Sequence, residues 1–379
     1  MIKYWIRSFH VSIRKYTFVS TTTPYSDKYY RPIITEGAAG FDKLIIPKDF
    51  CADNQNLISE NDLQNQLVDI VDTFKSPIDS SIGYGSGIIP QDGYELKEEK
   101  QLDFIFLVKD SRIFHQENLK QNPNHYSTSS TWLINLIQGK NGIYFNPYIT
   151  VKEKIIKYGI VTKRSALMDL SEWSSLYFAG RLQKPVNYIK DNDIMLKFLN
   201  QYNLKNAMTI AIFLIKTNQF TEKQLYEQIT SLSYLGDFRM IVGGENPNKA
   251  KNIVTKQFDN FKKLYDPILQ FFIHKNYLVI TDNDEKNRTF KTNLNINSRI
   301  KLISCLPLHF RTQLYSKYPE SSIKDIAKDS NLPNNIKNLI ARTITYSSIL
   351  QTIKGVLTAG IFKSIKYALA KKSKSKPTN

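Results

Sequence analysis

Residues 81–94 read SIGYGSGIIPQDGY, and KQLDFIFLVKD at residues 100–110 follows with one acid, Asp103, inside an apolar run. Glycines let backbone N–H groups approach a ligand that a Cβ would hold away, and phosphate is the ligand that most often uses this. A carboxylate at the end of such a strand is a means of holding Mg2+ beside that phosphate. Gly85 and Ser86, flanked by Tyr84 and Gly87, are therefore candidates to cradle a polyphosphate, and Asp103 is a candidate metal ligand. A glycine-rich turn beside a structural strand is the alternative that the same residues allow. No Gly-Lys-Ser/Thr closes the loop as a P-loop requires. A dinucleotide fingerprint is not convincing either, because no clean strand is expected before the glycines and Pro90 soon follows them.

Elements able to position these residues are expected in the middle of the chain. From about residue 30 to 187, apolar strand-like runs (KLIIP, QLDFIFLV, NGIYFNPYI, KIIKYGIVT) alternate with helical stretches at 60–74 and 128–138, an α/β pattern. Residues 188–290 turn mostly helical, and TEKQLYEQITSL opens with a capping box from Thr221 to Gln224. GGENPNKAKN at 243–252 reads as a loop, the polar residues 283–300 as a boundary or hairpin, and 291–345 as a further helical region. A flexible connection is expected around 330–347.

The 379 residues carry a formal charge of +18, and its placement narrows the function. Residues 1–26 hold Lys3, Arg7, Arg14 and Lys15 without an acid, and residues 330–379 hold nine lysines and arginines without an acid, so the ends supply 13 of the 18 charges. A uniform nucleic-acid surface is disfavoured by that distribution. Cys51 and Cys305 lie far apart with no Cys or His at ligand spacing, so neither zinc nor a disulfide scaffold is indicated. The longest apolar run, AMTIAIFLI at 207–215, is about half of a bilayer span.

The two ends differ in kind. On a helix over residues 2–16, Lys3, Arg7, His10 and Arg14 share one face opposite Ile2, Trp5, Ile6, Phe9 and Ile13, and a Ser/Thr tract follows. Residues 1–26 therefore read as a mitochondrial presequence, with a surface helix of the mature fold as the alternative. Residues 346–379 read as a basic amphipathic membrane-binding segment, in which Lys363, Lys366, Lys371 and Lys372 would meet anionic lipid. A last core helix with a solvated lysine tail is the competing reading.

The order Gly-Ser, a short helix or turn, then a strand carrying Asp103 resembles nucleotidyltransferases of DNA polymerase β type. In those proteins a Gly-Ser pair holds the triphosphate and strand carboxylates hold Mg2+. They show Asp-x-Asp where this chain has Ile105 in the second place. YGSGIIPQ, LDFIF, NHYS, IKYGIV, DLSEWSSLYFAGRLQKPV, LSYLGDFRMIVGG and SSILQTIKGVLTAG, in that order, together resemble the mitochondrial translocator assembly and maintenance protein family. Members of that family are peripheral phosphatidate cytidylyltransferases, that is, CDP-diacylglycerol synthases. The resemblance implies a nucleotidyltransferase domain at 30–187, a winged-helix-like domain at 188–290 and a C-terminal membrane-associating segment, on the matrix side of the inner membrane, feeding cardiolipin synthesis.

The implied reaction joins CTP and phosphatidic acid, with Mg2+, into CDP-diacylglycerol and pyrophosphate. Gly85 and Ser86 would hold the CTP phosphates, Asp103 the metal, and Lys157, Arg181 and Lys184 would stand near phosphates of CTP or lipid. Asp110, Asp169 and Asp237 are candidates for a second carboxylate, Asp169 equally as a helix cap. His125 could line the pocket, and Asp237 with Arg239 could be a bridging ion pair. Two other functions are carried alongside: a nucleotidyltransferase acting on RNA or protein, and a non-enzymatic helper of inner-membrane protein import.

Overall fold

The computed structural model describes residues 44–57, 61–89, 101–139, 142–190, 193–237, 240, 246–284 and 286–359. The expected presequence, Arg239 and the lysines from Lys363 onward lie outside the described residues.

A mixed five-stranded sheet organises the first half: β1 (Ser80–Tyr84), β2 (Leu102–Val108), β3 (Tyr144–Val151), β4 (Lys154–Thr162) and β5 (Asn187–Lys190), in the order β3-β4-β2-β1-β5. The near-continuous apolar run LDFIFLV marks β2 as a central strand buried on both faces, and it occupies that place. It pairs parallel with β4 and antiparallel with β1. A parallel neighbour needs a long crossover. Here α2 (Ser111–Gln121), α3 (Thr131–Gln138) and β3 supply it.

Side-chain alternation divides the sheet into two faces. Phe104, Phe106, Tyr158 and Ile160 pack on one side with α1 (Asn61–Val71), α2 and α3. Ile82, Ile105, Leu107 and Val161 pack on the other with α4 (Lys163–Glu172), α5 (Ala179–Leu182) and α6 (Ile194–Leu214). The second core does not stop at the sheet. It runs on into α7 (Glu222–Leu232), α8 (Lys249–Lys256), α9 (Phe258–His274) and the helices that follow, so the sheet and the helical region share one hydrophobic interior.

In that region β6 (Gln219–Thr221), β7 (Leu278–Asp282) and β8 (Thr289–Thr292) form a small antiparallel sheet in the order β6-β8-β7. The expected capping box at Thr221 and Gln224 is present at the start of α7. Next come α10 (Ile296–Ser304), α11 (Leu308–Tyr315), α12 (Ile323–Lys328) and the long α13 (Leu332–Ala359). No helix among the described residues is long and apolar enough to cross a membrane.

Three expectations change. A clean strand, β1, does feed the glycine turn; its SSIGY sequence lacks the apolar run that announces a buried strand. The described part of KLIIP, residues 44–47, forms no strand. The connection around 330–347 is part of the continuous helix α13, whose Leu332, Ile336, Leu339, Ile340 and Ile344 are buried in the shared core. The boundary expected at 345/346 therefore falls inside one helix.

Candidate active site

Strand register assembles the chemistry. Tyr84 of β1 stands opposite Asp103 of β2, and Asp103 is in register with Lys157 of β4, so the three form one row across three strands and point to one face. Lys157 Nζ lies 3.8 Å from Asp103 Oδ1, and both side chains keep about a quarter of their exposure. The ammonium also stands 4.6 Å from the centre of the Phe145 ring. That ring can cross β4 because residue 159 is glycine: a Cβ there would come within 2.5 Å of Phe145 Cε1.

The glycine turn closes one side of this row. Gly85 has φ +79°, a conformation L side chains rarely adopt, and a Cβ on it would lie 2.9 Å from Asp103 Oδ2. Its carbonyl accepts from the N–H groups of Ile88 and Ile89 at 3.2 and 2.8 Å, which winds residues 85–89 into a turn, with Gly87 so close to the Gln101 carbonyl that a Cβ would lie 2.3 Å from its oxygen. The Asp103 carboxylate thus packs against the bare backbone of Gly85.

Arg181 and Lys184 arrive from a segment held in place by buried polar anchors. Both oxygens of Asp169 accept backbone N–H groups, Oδ1 from Ser175 and Leu176 and Oδ2 from Phe178 and Ala179, at 2.8–3.0 Å. Asn203 of α6 donates to the Ala179 carbonyl at 3.0 Å and accepts from Trp173 Nε1 at 2.8 Å. Arg181 then stacks 3.8 Å from the Tyr177 ring and 5.2 Å from the Tyr84 ring, and its guanidinium donates to the Tyr177 carbonyl. The Tyr84 hydroxyl is buried among Lys157, Asp103 and Arg181 and has no hydrogen-bond partner among the described residues. Burial raises its pKa first, with the Asp103 charge adding to the rise. A buried donor left over in a ring of charges is a place for a ligand oxygen.

Lys184 extends the cationic strip toward α7 and α8. Its ammonium donates to the Gly180 carbonyl and to Ser233 Oγ, the latter at 2.7 Å. The Tyr234 ring carries Lys184 at 5.7 Å and Lys249 at 5.6 Å. Burial, then the positive charges of Arg181 and Lys249, push the Lys184 pKa down to about 7. An anion arriving beside it would reverse that penalty.

Other expected residues stand elsewhere. Asp110 follows the far end of β2, ~23 Å along the chain from Asp103 at the usual strand rise, and caps α2 by accepting from the N–H groups of Arg112 and Ile113. Asp169 is occupied as an anchor. His125 lies on the opposite face, 2.9 Å from Tyr158 Oη, because Tyr158 follows Lys157 and alternation turns it away. Asp237 is buried beyond Tyr234. A groove of about 400 Å³ lined by Ile215, Phe220, Gln224, Gln228 and Lys251 lies in the helical region, away from the Tyr84–Asp103–Lys157 row. Among the described residues no group of three or more His, Cys, Asp or Glu could hold a metal alone. Asp103 beside the glycine cradle still fits Mg2+, which commonly binds through one or two carboxylates plus substrate phosphates.

Residues 67–374 match a family model described as mitochondrial phosphatidate cytidylyltransferase. The chain belongs to that family. Curated members include the Schizosaccharomyces pombe protein, 37% identical over 85% of this chain and 86% of its own length, and the Saccharomyces cerevisiae protein, 39% identical over 85% and 73%. The mouse protein is 34% identical over 79% of this chain and 91% of its own length, and all three carry the name mitochondrial phosphatidate cytidylyltransferase.

Within this cytidylyltransferase chain, the site residues that sequence reasoning missed are aromatic or contributed from afar: Phe145, Tyr177, Ser233, Tyr234 and Lys249. Gly159 in KYGIV was the available signal for Phe145, since a glycine inside a strand marks a close approach. Ser233 and Tyr234 lie in LSYLGDF, which was singled out without a role. Lys249 had no signal beyond its charge.

Proposed function

We propose that this chain is a phosphatidate cytidylyltransferase that converts CTP and phosphatidate into CDP-diacylglycerol and pyrophosphate. One observation carries the reading: a chain of this family places a carboxylate, a lysine and an unpartnered buried hydroxyl in one row, with Arg181 above it, against a positive-φ glycine turn.

The phosphatidate phosphate attacks the α-phosphorus of CTP in line, an oxygen–phosphorus bond forms, and the bond to the β-phosphate oxygen breaks to release pyrophosphate. The nucleophile is a phosphate monoester with a second pKa near ~6, already ionised at neutral pH, so a strong general base is not needed. Catalysis then rests on bringing two anions together. Gly85, Ser86 and Gly87 present the turn to the triphosphate, and Tyr84 Oη donates to a phosphate oxygen. Lys157 and Arg181 flank the reacting phosphates, and Lys184 with Lys249 extends the positive surface along the path of the second phosphate. Asp103 would hold Mg2+, which when bound neutralises charge on the phosphates and orients them.

The strand order and the Gly-Ser turn support a polymerase β-like nucleotidyltransferase domain, and the helices with the small β6-β8-β7 sheet support a winged-helix-like unit. The same reading puts the protein at the mitochondrial inner membrane on the matrix side, held peripherally. Its basis is the acid-free ends and the distal half of α13, where Tyr346, Ile349, Leu350, Ile353, Val356 and Leu357 are exposed along one face.

The test is transfer of label from α-phosphate-labelled CTP to phosphatidate vesicles with Mg2+ present. Label in the organic phase with equimolar pyrophosphate is the expected result. Label transferred instead to RNA or protein, or no transfer by a chain that binds CTP, overturns it.

A further inference from the structure

α3 reads TWLINLIQ, apolar around most of its circumference, although only one side is covered. Ile134 and Ile137 enter the core, while Trp132 and Leu136, one turn apart on the opposite side, are 71% and 61% exposed. Such a helix is ordinarily buried all round, so the bare side calls for an occupant. The end of α13 lies beside it: Lys354 Nζ donates to the Gln138 carbonyl at 2.9 Å, and Ser127 Oγ donates to the Leu357 carbonyl at 3.0 Å. Ile353 and Leu357, also one turn apart, are each 54% exposed there. Two segments more than 200 residues apart in sequence, each with an exposed apolar strip, are therefore tied side by side.

Charge identifies the occupant. Residues 118–152, which contain α3, hold Lys120, Lys140 and Lys152 and no acid, and residues 330–379 hold nine cations and no acid. Lys152 pairs with Asp69 of α1 at 3.2 Å, but the stretches that carry the two strips are basic in sequence. An apolar patch in a basic stretch suits an anionic bilayer surface, and tryptophan is a side chain favoured at the headgroup level. We propose that α3 is a second membrane-contacting element, with Trp132 and Leu136 entering the lipid interface beside α13. The inference rests on the lipid-facing reading of α13. It adds that the bilayer is gripped by the nucleotidyltransferase half of the chain as well as by the C-terminal end, which would fix the orientation of the sheet over the membrane.

Trp132 is its own reporter, because Trp173 is buried and Trp5 can be replaced. The full chain carrying Trp5→Phe is mixed with phosphatidylcholine vesicles, with and without phosphatidylglycerol, and with vesicles whose acyl chains are brominated near the headgroup. Expected are a blue shift and bromine quenching that require the anionic lipid and vanish in Trp5→Phe/Trp132→Phe. Trp132→Ser/Leu136→Ser should weaken flotation with anionic vesicles by about tenfold or more, while turnover of phosphatidate dispersed in detergent is unchanged. Unquenched Trp132 on vesicles that bind the chain overturns the proposal. So does emission already blue-shifted without lipid, or changing with protein concentration, which gives the face to residues 360–379 or to a second copy. A failure of the enzymatic reading is separate, since it leaves detergent turnover at zero while the fluorescence result stands.

Discussion

The two faces of the central sheet each carry a polar cluster over the same strands, one residue out of step. On one face Tyr84, Asp103 and Lys157 stand in a row with Arg181 above. On the other, His115 lies within hydrogen-bond distance of Tyr126 Oη (3.0 Å) and Gln138 Oε1 (3.2 Å), and Asn118 donates to Tyr126 and Tyr158. Burial pushes the His115 pKa down to about 4, so it is neutral near pH 7 and serves packing. The second cluster also leaves the buried Tyr144 hydroxyl and Asn146 amide without partners, but amid neutral groups such as His115 and Tyr126, whereas the first gathers charge around a hydroxyl without a partner. Perturbed titration marks both, so titration alone does not find an active site; leftover hydrogen-bonding capacity beside charge does.

Removing charge from the first face should break the comparison most sharply. Asp103→Asn is expected to lower the rate of CDP-diacylglycerol formation by at least about 100-fold with the melting temperature unchanged. Gly85→Ala should do nearly as much, because a Cβ meets the Asp103 carboxylate and the positive φ costs about 1–2 kcal/mol. On the other face the ranking reverses: Asn118→Ala removes the amide that joins the Tyr126 and Tyr158 hydroxyls, each of which keeps only its histidine neighbour, so stability should fall by about 1–3 kcal/mol in urea titration while kcat holds.

Two smaller effects sharpen the account. In the free protein Lys184 loses its proton near pH 7 rather than near 10.5. Phosphate beside it favours the charged form and raises that pKa, so between the two values binding of the second phosphate takes up a proton and its affinity falls as pH rises. Calorimetry in buffers of different ionisation enthalpy should show that uptake at pH 8, and Lys184→Met should remove it. Tyr84→Phe, which deletes one hydroxyl, should lower turnover by roughly tenfold or less.

The sequence made legible what lies within single segments: the apolar β2, the capping box at Thr221, the Gly-Ser turn and the charged residues near it. His125 shows where this ends. NHYS is adjacent to nothing that reveals which sheet face it joins, and only strand alternation at Lys157 and Tyr158 decides it. Asp169 likewise read as either ligand or cap, and its four backbone donors come from a segment whose path no local pattern specifies. Where a flexible connection was expected around 330–347 the chain runs as one helix, because a polar, asparagine-rich start conceals the buried stripe of α13.

The central claim is that the Tyr84–Asp103–Lys157 row handles the phosphates and the opposite face does not. The direct measurement is the initial rate of label transfer from α-phosphate-labelled CTP to phosphatidate vesicles for the unmodified chain, Asp103→Asn and His125→Ala, each shown to be folded. The account predicts transfer by the unmodified chain and by His125→Ala at similar rates, and almost none by Asp103→Asn. Full activity in Asp103→Asn, or its loss in His125→Ala alone, would contradict it.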